Sequence, residues 1–143
     1  MLSNKFLRLA SGISLLALSN SIYALEITCP ESIAPSESVS APTQGWKVFT
    51  SDDIHYFQNV SVYEGHPKER ASLIPRDDKK AGKAISRWTL PREKQYKYWL
   101  RCDYLNTNAS YIIALPDTAT ACIVTYRMLD KKTTAGIERI YCE

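Results

Sequence analysis

Tyr96-Lys97-Tyr98-Trp99-Leu100-Arg101-Cys102-Asp103-Tyr104 alternates without a break. Tyr96, Tyr98, Leu100, Cys102 and Tyr104 fall on one side of an extended chain, and Lys97, Trp99, Arg101 and Asp103 on the other. A period of two predicts a half-buried strand. Its five inward side chains contribute about 1.5 kcal/mol or more apiece as an upper bound, which makes this strand the centre of a core.

Its neighbours carry the same pattern. Ala109, Tyr111, Ile113 and Leu115 alternate with smaller or polar residues, as Cys122, Val124, Tyr126 and Met128 do with Ile123, Thr125 and Arg127. The links Leu105-Asn106-Thr107-Asn108 and Pro116-Asp117-Thr118-Ala119 have turn chemistry and predict a meander of antiparallel neighbours. A last strand is expected at Gly136 to Cys142, and earlier ones at Trp46 to Thr50, Phe57 to Tyr63 and Ile85 to Leu90. Pro30 to Gln44, with Pro30, Pro35 and Pro42, reads as an extended surface arm. Arg76-Asp77-Asp78-Lys79-Lys80-Ala81-Gly82-Lys83 reads as a charged loop. The expected class is therefore all-β and mainly antiparallel, a small disulfide-stapled β-sandwich or partly open barrel.

The first 24 residues have the layout of a secretory signal. Lys5 and Arg8 precede a short apolar stretch through Leu18, and Ile22-Tyr23-Ala24 offers a small residue at the cut. The stretch is roughly half the 20 apolar residues a spanning helix needs, so cleavage after Ala24 and a periplasmic location are expected. Residues 25–143 then form one domain of 119 residues. Losing Lys5 and Arg8 leaves 16 basic against 15 acidic residues, so the charge drops from +3 to +1. That gives no warrant for nucleic acid or an anionic membrane as partner.

Cys29, Cys102, Cys122 and Cys142 all lie in the mature part, where an even count predicts two disulfides. If the last two strands form a hairpin centred on Lys132, Cys122 and Cys142 stand opposite each other. Cys29 then joins Cys102 by elimination. The cysteines lack metal-knuckle spacing and the chain has two histidines, His55 and His66, so no metal is expected.

The ordered set Cys29-Pro30, Gly45-Trp46, Val62-Tyr63-Glu64-Gly65 with Pro67, Ala71-Ser72-Leu73 with Pro75, Trp88 with Leu90-Pro91, Tyr98-Trp99-Leu100 with Cys102 and Tyr104, Leu115-Pro116, Cys122 and Cys142 resembles a family. It is the group of short uncharacterised exported proteobacterial proteins with four cysteines. The resemblance implies export and one small domain, and transfers no catalytic residue.

For chemistry the chain offers little. Asp52, Asp53 and His55 form the compact acid–histidine cluster, in a setting that suits a solvated loop. There is no G-x-S-x-G elbow, phosphate loop, dinucleotide fingerprint or haem motif, so neither catalysis nor a cofactor is expected. Trp46, Trp88 and the Tyr98–Trp99 pair read first as core or strand-face aromatics. Trp99 stands apart, because alternation puts it opposite the cysteines, where exposure would mark an interaction surface. The loop residues Arg76, Lys79, Lys80 and Lys83 are the other candidate binding surface. These materials fit a non-catalytic protein-binding module whose partner is another envelope or secreted protein. The alternatives are an immunity or inhibitor protein against a cell-wall-directed hydrolase or toxin, and a small periplasmic hydrolase.

Overall fold

A computed structural model describes residues 24–36, 47, 53–92 and 96–143. Among the described residues nine strands run in chain order: β1 (Leu25–Ile27), β2 (Ser32–Ile33), β3 (His55–Glu64), β4 (Arg76–Lys80), β5 (Lys83–Thr89), β6 (Tyr98–Tyr104), β7 (Ser110–Ala114), β8 (Ala121–Met128) and β9 (Thr134–Cys142). They form two antiparallel sheets, ordered β1-β9-β8-β5-β4 and β2-β3-β6-β7. The architecture is a sandwich and not a closed barrel. Among the described residues no helix is long and apolar enough to cross a membrane.

Strand β6 has the expected alternation of burial, with Tyr98, Leu100, Cys102 and Tyr104 inside. Tyr96 precedes the strand and is exposed, against expectation. The inner faces meet in one cluster that includes Val60, Val62, Trp88, Leu100, Val124 and Ile140. The two buried tyrosines of β6 keep their hydroxyls satisfied. Tyr98 donates to the carbonyl of Pro91 at 3.1 Å and Tyr104 to that of Pro30 at 2.8 Å.

Disulfides join Cys29 to Cys102 and Cys122 to Cys142. The second bridge lies in a row across the larger sheet, where Leu25 pairs with Cys142, Cys142 with Cys122 and Cys122 with Trp88. Register in the β8–β9 hairpin is centred on residue 132 at the cysteines and slips at two irregularities nearer the tip. At the tip the Asp130 carboxylate accepts from the backbone N–H groups of Lys132 and Thr133, which holds its pKa below the ordinary value. Cys29 sits where the chain passes from β1 in one sheet to β2 in the other, and its bridge fastens that crossing to the centre of the smaller sheet.

Two further expectations change. Arg76 to Lys83 is not a loop: Arg76–Lys80 is strand β4, and Lys83 opens β5. Ala81 and Gly82 both have positive φ, 51° and 78°, the paired condition of the tight turn whose twist matches flanking strands. Nor do β6, β7 and β8 form a meander. β7 pairs with β6, but the Pro116–Ala119 link carries the chain across to the other sheet, where β8 lies between β5 and β9. The larger sheet does not cover β7, so Tyr111 and Ile113, expected inside, are exposed while Leu115 is buried. The expected strand at Trp46 to Thr50 lies outside the described residues, apart from Lys47, which is not in a strand.

Candidate functional site

Trp99, Arg101 and Asp103 project from β6 on the face opposite the core, and register decides what stands beside them. Tyr63 and Ser61 of β3 are opposite Trp99 and Arg101, while Ala114 and Ile112 of β7 flank the same two residues on the other side. Antiparallel partners share a face, so the three strands present one continuous outer surface.

That surface is built in place. The Arg101 guanidinium carbon lies 5.0 Å from the centroid of the Tyr63 ring, and Tyr63 is itself buried. Asp103 pairs with Arg101 and accepts a hydrogen bond from the Ser61 hydroxyl. The buried Arg101 Nε is in ion-pair contact with Asp103 but is not aligned for a hydrogen bond, so the attraction at that atom is coulombic. Half-buried Trp99 meets His66 edge to face, with ring centroids 5.0 Å apart and an interplanar angle of 62°.

His66 is placed by a turn. Gly65, at φ 77°, bends the chain after β3, and an added Cβ would meet the Glu69 carboxylate at 2.5 Å. His66 then caps the short 3-10 turn Pro67–Glu69, its Nδ1 accepting from the Lys68 N–H at 3.2 Å. An accepting Nδ1 in a neutral ring puts the proton on Nε2. The result is a fixed patch in which Trp99 and Arg101, residue types that dominate binding energy at interfaces, reach the surface supported by His66 and by buried Tyr63.

The hairpin residues Arg76, Lys79, Lys80 and Lys83 lie on the other sheet, so they and Trp99 do not form one site. Lys83 pairs with Glu138 at 2.7 Å, and the Lys79 ammonium donates to the Lys131 carbonyl at 3.4 Å. A hollow of about 620 Å³ opens beside the hairpin, lined by Asp77, Lys79, Ser86 and Tyr126 among others. The Ser86 hydroxyl donates to Asp77 at 2.6 Å, but no histidine lines the hollow, and a carboxylate is too weak a base to activate serine near neutrality. His55 is also committed: its Nδ1 bonds the Leu105 carbonyl at 2.9 Å, so that nitrogen carries the proton. Asp52 lies outside the described residues, and Asp53 is exposed. Among the described residues no group of three or more His, Cys, Asp or Glu side chains is placed to hold a metal ion.

Alternation along β6 places Trp99 opposite the cysteines, where it is half-buried against His66. It could not single out Tyr63, Ser61 or Ile112, whose place beside the β6 residues comes from pairing between distant segments. A useful signal was there in Val62-Tyr63-Glu64-Gly65: a strand ending in glycine, with an aromatic one residue from the turn.

The family model described as "Type VI secretion system Tli immunity protein" matches residues 50–143, a span that takes in β3 to β9 and the whole outer face. An "Uncharacterized 16.3 kDa protein in trpG 5'region" of Azospirillum brasilense is 30% identical over 132 residues, covering 83% of this chain and 87% of that protein. No solved structure matches.

Proposed function

The chain belongs to the Type VI secretion system Tli immunity protein family, and from that premise we propose that it binds a toxin delivered by type VI secretion and blocks it without chemistry of its own. The observation that carries the reading is the outer face of the smaller sheet. Trp99, Tyr63 and Arg101 are held there by ring contacts and an ion pair on a sheet whose central strand is covalently stapled. Rigid aromatic and arginine anchors lose little conformational entropy on binding, which suits a tight stoichiometric inhibitor. Two disulfides, one between β8 and β9 and one tying the β1–β2 link to β6, also fit an oxidising compartment, so the inhibitor acts in the periplasm after cleavage at Ala24. That cut leaves Leu25, the first residue of β1, at the new N-terminus.

Killing between sister cells tests this. In a strain with an active type VI apparatus, deletion of the gene should make the cell a victim of its parent in mixed culture on a solid surface. The full chain supplied on a plasmid should restore survival, and a version lacking residues 1–24 should not. A deletion strain that survives as well as its parent would refute the immunity role. Equal protection by the truncated version would refute the periplasmic site.

A further inference from the structure

Ser110, Ile112 and Ala114 turn their backbone groups away from the sheet. The Leu115 N–H donates to the Tyr98 carbonyl at 2.8 Å, and the register then pairs Leu100 with Ile113, Arg101 with Ile112 and Cys102 with Tyr111. In an antiparallel ladder alternate residues bond the neighbour, so Tyr111, Ile113 and Leu115 face β6 while Ser110, Ile112 and Ala114 face outward.

The two sandwich sheets have four edges, and three are guarded. β1 has three residues and β2 two, too short to template a partner strand, and the lengths they leave unpaired are broken. β9 carries charged Glu138 and Arg139 and register irregularities, and β3 has an irregularity between Phe57 and Asn59 and bonds Ala71 and Leu73 near its end. All five residues of β4 are charged and exposed. β7 has none of these defences. Its register is unshifted, and from Leu105 to Pro116 the chain carries no charged residue. Tyr111, Ile112 and Ile113 are 46, 40 and 44% exposed, so the strand is apolar on both of its faces.

We infer that β7 is the docking edge and that its occupant is an uncharged, extended segment of the toxin, which adds a fifth strand beside β7. This deepens the immunity reading and rests on it. Charge selects the occupant, since a charged strand would find no counter-ion along an edge that carries none, while an uncharged one covers exposed Tyr111, Ile112 and Ile113. Continuity supports it as well: the side chain of Ile112 adjoins that of Arg101 across the ladder, so a partner entering at the edge runs directly onto the Trp99 face. Area argues against a second copy. A two-fold through Ile112 confines the contact to the paired β7 edges and the exposed parts of Tyr111, Ile112 and Ile113, short of the roughly 800 Å² per partner of a stable interface, whereas a toxin segment seated there runs on over the Trp99 face.

The test uses Ile112→Pro and Ile112→Lys in the full chain. Proline removes an outward N–H at the middle of the edge and leaves the bonds of Tyr111 and Ile113 to β6 in place. Lysine places a charge there and keeps the backbone intact. Ile74→Lys, which charges a 93% exposed isoleucine outside the smaller sheet's edge, is the control. Each is supplied to the deletion strain under attack by its parent, and each purified protein is checked for β-type circular dichroism and for mass by sedimentation. Wild type and Ile74→Lys should protect, while folded Ile112→Pro and Ile112→Lys should lower survival at least tenfold. Full protection by the folded Ile112 variants overturns the edge and leaves the immunity reading standing. Failure of wild type to protect removes the immunity reading, and the edge with it. A wild-type dimer that Ile112→Pro splits makes the occupant a second copy and overturns the toxin strand.

Discussion

Trp88 and Cys122 are direct partners across β5 and β8, and the Trp88 indole N–H donates to the Leu73 carbonyl at 3.1 Å. The Cys122–Cys142 bridge thus lies beside a tryptophan that is itself pinned to the segment leading into β4. The two bridges differ in what they hold. In the chain-entropy account, closures with separations of 20 and 73 residues are worth about 3 and about 4.5 kcal/mol. Replacing Cys29 and Cys102 with serine should therefore cost more stability in urea than replacing Cys122 and Cys142. It should also open residues 24–36 to proteolysis while the rest of the sandwich persists. Equal losses from the two pairs, or an arm that stays resistant, would contradict this division.

The face around Arg101 makes a second prediction. Asp103→Ala strips the counter-ion from Arg101 and the acceptor from Ser61 together, and should destabilise by about 1–3 kcal/mol. Removing both charges with Arg101→Met and Asp103→Leu should cost less than the sum of the separate changes, because neither charge is then left unpaired. A double-mutant cycle by chemical denaturation reads the coupling. Strict additivity would show that the pair is not interacting.

Tyr104 supplies a pH dependence. Burial, and then the neighbouring Tyr111, raise its pKa above the usual phenol value. The folded state holds the proton more tightly than the unfolded chain does. Stability from this group is therefore fully present below the unfolded value of about 10 and is lost as pH rises through the higher folded value. Tyr104→Phe should cost about 1 kcal/mol near neutrality, through loss of the hydrogen bond to Pro30, and should flatten the alkaline fall in stability. Unfolding midpoints measured up to about pH 11 would show an unchanged slope if the phenol titrates equally in both states.

Trp99 should behave as an anchor. Against the toxin that kills the deletion strain, Trp99→Ala should weaken binding by about 2 kcal/mol or more, roughly thirtyfold in Kd. Combined neutralisation of Lys79 and Lys80, on the other sheet, should change it by less than about threefold, in keeping with near-neutral substitutions outside a binding patch. Titration calorimetry with the purified pair separates the two sites, and the reverse order of effects would move the binding surface to the hairpin.

How far these features were legible in the chain varies with position. β6 reads correctly from its alternation because it is flanked by strands on both sides and its inner face is covered. β7 has the same alternation, yet Tyr111 and Ile113 are exposed, since a pattern of two reports which side a residue takes and not how far the opposite sheet extends. The run Arg76–Lys80 reads as loop because charge is uncommon in strands, but an edge strand with solvent on its open side accommodates it. Arithmetic centred on Lys132 puts Cys122 opposite Cys142, whereas the pair nearest the tip, Met128 with Thr134, is centred on residue 131; the two irregularities between tip and bridge shift the register to the one the cysteines need. Tyr63 and Arg101 are 38 positions apart, and only the β3–β6 register brings their rings and charges together.

Amide hydrogen exchange of the protein, alone and in complex with the killing toxin, tests the central claim most directly. The outward N–H groups of Ser110, Ile112 and Ala114 should become protected in the complex, together with slower exchange around Trp99 and Arg101. Protection confined to Arg76–Lys83 or to the larger sheet, with β7 exchanging as fast as before, would contradict the account.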